Sequence, residues 1–148
     1  MSSIHEQAMN YVYHQVLQRL IGHFTRAERT ALQLLIQRIV VAAGGMEQVG
    51  QYKIMVAHGG GEVSSYTLAL LRAAQLSIAV RAPGTFQLRV ATLRHTGMTQ
   101  ATLDTLHHGY GMLFFHDDPR VELLMVENQE VLPFNHQRPP SSAGTAVS

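Results

Sequence analysis

The chain opens with apolar residues at helical spacing. Met9, Val12, Val16, Leu17, Leu20 and Ile21 recur three and four positions apart, which lays one apolar stripe along a helix. Ahead of it, Ser3-Ile4-His5-Glu6 has the capping-box form, with a serine hydroxyl for an orphan amide and a glutamate able to reach back. Gly22 and His23 end the stripe. Thr25-Arg26-Ala27-Glu28 repeats the box at once and leads into Leu32, Leu35, Ile36, Ile39 and Val40, with Gly44-Gly45 as the stop. Two helices so briefly joined are expected to pack as an antiparallel hairpin over 3–43.

Beyond the linker Met46–Gly50 the period changes. Tyr52 to Ala57 reads as a strand, followed by the run His58-Gly59-Gly60-Gly61. Ser64 or Ser65 then caps a helix carrying Tyr66, Leu68, Leu70 and Leu71, apolar around most of its circumference and so expected to be buried on more than one side. Leu76, Ile78 and Val80 alternate with Ser77, Ala79 and Arg81. After Ala82-Pro83-Gly84, Phe86, Leu88 and Val90 alternate with Gln87, Arg89 and Ala91. This pattern predicts a β-hairpin of 76–81 and 85–93 with one wet face. The competing reading continues the helix to Ala79.

His95-Thr96-Gly97 turns the chain. Thr99 caps a short helix through Leu103 and Leu106, with Gly109 placed as its C-terminal glycine. Met112 to Phe115 is a short apolar run suited to an interior strand. His116-Asp117-Asp118-Pro119 is a tight turn, Val121, Leu123 and Met125 form a strand, and Asn128-Gln129 turns into Val131-Leu132. The expected fold is α+β: an N-terminal antiparallel helix pair, then a mainly antiparallel sheet of about five strands with one or two further helices. Residues 1–138 would make one globular domain, with a helical hairpin at 3–43 and a strand-rich part at 51–133. The tail 139–148 has nothing to bury and is expected to be disordered.

Composition narrows this picture in three ways. At 148 residues and 46% apolar, with no cysteine, the chain can bury a core without disulfides and has neither a thiol nucleophile nor a thiolate metal site. No run nears the roughly 18 apolar residues that span a bilayer, and the N-terminus lacks the basic and apolar regions of a secretory signal. The net charge of +1 makes no electrostatic case for nucleic acid or acidic lipid. Basic charge is almost all arginine, Lys53 being the single lysine, as in GC-rich bacterial coding. A cytoplasmic location is the expectation.

Candidate chemistry gathers at the glycine run. A strand, then glycines, then a serine-capped helix is an arrangement in which helix-end amides can hold an anion, which nominates His58, Gly59, Gly60, Gly61, Ser64 and Ser65 as ligand-binding residues. No Gly-Lys-Ser/Thr follows to make a P-loop, and GxGxxG is absent. His-Gly-Gly-Gly is also the oxyanion-hole run of lipase-type hydrolases, but no GxSxG supplies their nucleophile. Glu62 at the helix entrance opposes an anion. His95, His116 and Asp117 are the candidate metal ligands if the strand ends converge. His107 and His108, about 100° apart on a helix, do not share a metal easily. His116 beside Asp117 has the form of an oriented base, without an evident nucleophile.

Arg19, Arg26, Arg29 and Arg38 give the front helices some basic character, yet the second is too apolar to present a recognition face to a groove. Leu34, Val40 and Val41 broaden that helix beyond one stripe, which points to deep burial or a dimer interface. The leading expectation is therefore a non-catalytic interaction or regulatory module acting as a homodimer, or docking another protein. The alternative is a small-ligand-binding or metal-dependent enzyme using the His-Gly-Gly-Gly run and nearby histidines. No cofactor is named by the sequence.

Overall fold

A computed structural model describes residues 4–58, 62–82, 84–94, 98–116, 118–127 and 130–133. Its elements are α1 (Ile4–Gly22), α2 (Arg26–Ala43), a 3₁₀ turn at Val49–Gln51, β1 (Lys53–His58), α3 (Glu62–Ala79), β2 (Gln87–Arg94), α4 (Gln100–Met112), β3 (Val121–Glu127) and β4 (Glu130–Pro133). The described residues group into two compact units. Among them, one comprises those of 4–52 and 69–86, the other those of 53–68 and 87–133. Ser3 of the first expected cap and the tail 139–148 lie outside the described residues.

In the first unit, the second capping box forms as its sequence dictates. Glu28 N–H donates to Thr25 Oγ1 at 3.1 Å, and Thr25 N–H donates to Glu28 Oε1 at 2.7 Å. At the other end of α2, Gly44 N–H donates to Val41 O and Gly45 N–H to Val40 O. That pair of bonds is the Schellman closure, and it needs a left-handed residue, which Gly44 supplies at φ 97°. Leu32, Ile36 and Ile39 are the buried stripe of α2; Val16 and Leu17 are buried on α1.

The part of α3 in this unit is enclosed on all sides, every residue from Leu71 to Ile78 being buried. Its polar members are paired: Arg72 Nη1 donates to Gln75 Oε1 at 2.6 Å, Gln75 Nε2 donates to Phe86 O at 2.9 Å, and Thr85 Oγ1 donates to Gln75 O at 2.8 Å. The Arg72 guanidinium also lies over the Tyr13 ring, 5.8 Å from its centroid. The expected strand at 76–81 is thus corrected to helix, and the competing reading to Ala79 holds. In a helix buried all round, alternation of Leu76 and Ile78 carries no information about period, and Val80 already lies in the turn beyond Ala79.

The second unit is built on a sheet of order β1-β2-β3-β4. β1 pairs with β2 in parallel and β2 with β3 in parallel, while the short β4 runs antiparallel to β3. The mainly antiparallel sheet of about five strands is therefore wrong: three parallel strands carry the sheet and the fold is mixed α/β. Parallel neighbours need a crossover, and α3 and α4 provide it. The sequence misled because β2 keeps a half-wet face, which is the usual mark of an antiparallel strand. Arg89 on that face pairs across to Glu122, Nε to Oε1 at 3.0 Å, with both side chains over a third exposed.

Met112–Phe115 is not a strand either. α4 continues past Gly109 to Met112 and closes with a second Schellman pattern, Phe114 N–H to Gly111 O and Phe115 N–H to Tyr110 O, both at 3.0 Å. The left-handed position is Phe114, φ 59°, where a glycine is usual. The turn before β3 forms around Asp118, whose Oδ1 accepts from Arg120 N–H at 2.9 Å. No helix among the described residues is long and apolar enough to cross a membrane.

Gly44→Ala forces a side chain into a left-handed backbone and should lower stability by about 1 kcal/mol. Gly22→Ala, at a helix end with nothing within 4 Å of the added carbon, should stay within about 0.5 kcal/mol of wild type. Urea unfolding of the two variants separates the cases, and equal losses would contradict the cap assignment.

Candidate functional site

Period two sorts the side chains of the second unit. Ile54, Val56 and His58 share a face of β1 and stand in register with Leu88, Val90 and Thr92 of β2. These in turn are in register with Val121, Leu123 and Met125 of β3. Toward the carboxyl end of the three parallel strands this face therefore carries a row of His58, Thr92 and Met125. His58 is 4% exposed and Thr92 fully buried.

α4 supplies what the row requires. Leu103, Leu106 and Tyr110 are its buried stripe, and the Tyr110 hydroxyl arrives between the two polar strand ends. It lies 3.0 Å from His58 Nδ1 and 2.6 Å from Thr92 Oγ1. The rings of His58 and Tyr110 are tilted, with centroids 5.5 Å apart. On the other side of the imidazole, Nε2 is 3.4 Å from the hydroxyl of Ser65, an exposed residue in the first turn of α3. A line of four side chains thus runs from the surface at Ser65 through His58 and Tyr110 to Thr92.

The cap of α4 holds this line in place. The carbonyl of Tyr110 itself accepts the Phe115 amide, and the two rings pack at 6.0 Å. A bulky residue at positive φ costs about 1–2 kcal/mol, and such strain persists only where the surroundings impose it. Phe114 sits four residues from Tyr110, in the turn that fixes the tyrosine.

Burial sets the charge states. Desolvation lowers the His58 pKa below its ordinary value, favouring the neutral ring. Desolvation raises that of Tyr110, partly offset by the hydrogen bond with Thr92. A neutral imidazole has one donor nitrogen and one acceptor nitrogen. Two orders of donation satisfy the line. In one, Ser65 donates to Nε2, Nδ1–H to Tyr110, and Tyr110 to Thr92; in the other every bond is reversed. The first leaves Nε2 as a base facing an exposed hydroxyl.

The residues expected from sequence divide accordingly. His58 and Ser65 come together, and Ser64 lies beside Ser65 in the first turn of α3. α3 begins at Glu62, so neither serine is the cap residue expected of it. Gly59, Gly60 and Gly61, with His95 and Asp117 of the metal candidates, lie outside the described residues. His116 is exposed and directs Nε2–H to His107 O at 3.3 Å, its ring stacked on that of His107. Among the described residues no group of three or more His, Asp or Glu is placed to hold a metal ion.

Tyr110 and Thr92 were not expected. Their signal was present all the same. The apolar alternation Leu88, Val90 ends on a threonine, that of Ile54, Val56 on a histidine, and the stripe Leu103, Leu106 on a tyrosine. Three elements each finish an apolar face with a hydrogen-bonding group, and buried groups of that kind seek one another.

No family model, curated protein or solved structure matches the chain.

The lowered His58 pKa has a signed consequence. The unfolded chain takes a proton at this residue near pH 6.5, while the folded chain resists it. Its contribution is therefore complete above about pH 6.5 and is lost as pH falls from there through the folded value. Urea midpoints of wild type should drop between pH 7.5 and 5 by more than those of His58→Gln. Equal drops would show that His58 titrates as in the unfolded chain.

Proposed function

We propose that the chain binds a small molecule at the carboxyl end of its parallel strands, beside Ser65, with His58 as the polar group that reads it. The observation that carries this reading is the contact between His58 Nε2 and the exposed Ser65 hydroxyl. A buried neutral imidazole is thereby linked to the surface through one side chain. In parallel α/β sheets, ligands bind outside the carboxyl ends of the strands, where helix N-termini also point. A few converging polar groups on an otherwise apolar face are the usual make-up of such a site. Thermal unfolding with a panel of carboxylates, phosphates, nucleotides and small esters tests it. At a concentration 100 times Kd, a true ligand adds about 2.7 kcal/mol to stability. The shift should vanish in His58→Gln. A silent panel, or a shift that survives that substitution, would sink the reading.

A second reading rests on a separate observation. Ile4 and Tyr11 on α1, and Leu34 and Val41 on α2, are exposed by 85%, 67%, 50% and 79%. Each pair is spaced by one heptad, the repeat of a helix seam between chains. Self-association through the front helices would cover these residues. Light scattering at high micromolar concentration should give a dimer for wild type and a monomer for Leu34→Asp/Val41→Asp; a monomeric wild type ends this reading.

A further inference from the structure

We propose that Ser65 is a nucleophile and His58 its general base, a pair built for acyl transfer from activated small esters. This rests on the small-ligand reading above and names its substrate class. The arrangement has the three members such chemistry requires: an exposed hydroxyl, an imidazole within reach of it, and a third group orienting the imidazole. Ser65 Oγ stands 3.4 Å from Nε2, a looser contact than the 2.6–3.2 Å of an engaged pair, as is common before substrate binds. Tyr110 is the positioning residue. Its hydroxyl lies 3.0 Å from Nδ1 and 2.6 Å from Thr92 Oγ1, and in the order of donation that the proposal requires it accepts from Nδ1–H and donates to Thr92, which leaves the Nε2 lone pair facing Ser65.

Ser65 is also the fourth residue of α3, within the turn of the helix dipole's positive end, which favours negative charge against the opposing Glu62 at the entrance. Charge on a tetrahedral oxyanion at Ser65 would develop there. The reaction closes without a further reagent. Ser65 Oγ forms a bond to the carbonyl carbon as its proton passes to Nε2. The bond to the leaving alkoxide then breaks and the alkoxide takes that proton. Water repeats the sequence on the acyl-serine, again lending its proton to Nε2, and the carboxylic acid leaves with Ser65 restored.

The nature of the orienting group selects the substrate. A carboxylate behind the histidine stabilises the imidazolium that forms, and its loss in serine proteases costs about 10⁴ in rate. Here the group behind His58 is a neutral phenol backed by a neutral hydroxyl. The pair is accordingly matched to esters with good leaving groups, such as aryl esters, and not to amides.

The test uses the full chain with p-nitrophenyl acetate and, separately, diisopropyl fluorophosphate, read by intact mass and peptide mapping. One adduct should form, on Ser65, and be absent in Ser65→Ala. That variant changes an exposed side chain and leaves the fold to be checked by circular dichroism. His58→Gln should slow labelling by about 10²-fold or more, in line with general-base catalysis. Tyr110→Phe should slow it less, by about tenfold, and should change the ¹⁵N shifts of the His58 ring away from the Nδ1–H tautomer. Labelling on another residue, or equal labelling in Ser65→Ala, overturns the proposal. So does an Nε2–H tautomer of His58 in the wild type. A thermal shift by a small ligand without any adduct would overturn the nucleophile while leaving the binding reading intact; loss of both would remove both.

Discussion

A phenol taken out of water must find partners or cost the fold several kilocalories per mole. Tyr110 finds two, and in doing so ties a helix to the ends of two strands. The requirement is mutual. His58 and Thr92 are polar residues at positions where their strands would otherwise carry a hydrophobic side chain, and each is satisfied by the hydroxyl that α4 brings. If α4 slid by one residue, three polar groups would lose their bonds together. A hydrogen-bonded line of this kind specifies one arrangement more sharply than apolar packing, which tolerates exchange among shapes. The strained turn at Phe114 is part of the same constraint, since it returns the Phe115 amide to the Tyr110 carbonyl.

What could be read along the chain depended on how local the cause was. The cap of α2 is written in residues three apart, Thr25 and Glu28, and its end in adjacent glycines, so both were legible. The direction of the strands was not. Alternation along β2 reports that one face is wetter than the other and is silent on whether the neighbour runs with it or against it. The stretch 71–78 was illegible for a different reason, because a helix enclosed on every side has no polar face to set a phase. His58 and Ser65 were nominated through the glycines between them. Tyr110 and Thr92 lie 52 and 18 positions from their partners, and only the fold brings them together.

The two Schellman closures show how little the sequence of a helix end need reveal. Val40, Val41, Gly44 and Gly45 on α2 make the same pair of bonds as Tyr110, Gly111, Phe114 and Phe115 on α4. In α2 the left-handed residue is glycine and the cap forms at no steric cost. In α4 glycines stand at 109 and 111, inside the helix, and a phenylalanine takes the left-handed position. Residue preference placed the end of α4 too early, because packing of the Phe115 ring on Tyr110 outweighs the local penalty.

α3 spends its first seven residues in one compact unit and the remainder in the other, and the unit holding α1 and α2 takes up the chain again from Ala69 to Phe86. Neither unit is thus a continuous stretch of polypeptide. No single cut separates them cleanly: a fragment ending at Phe86 still carries 53–68 of the other unit, and any fragment ending before Ala69 leaves the front helices without the buried segment Leu71–Ile78. During synthesis, the front helices must wait for β1 and the start of α3 to be made before the last part of their own core exists. Truncating the chain therefore never delivers either unit free of residues that belong to the other.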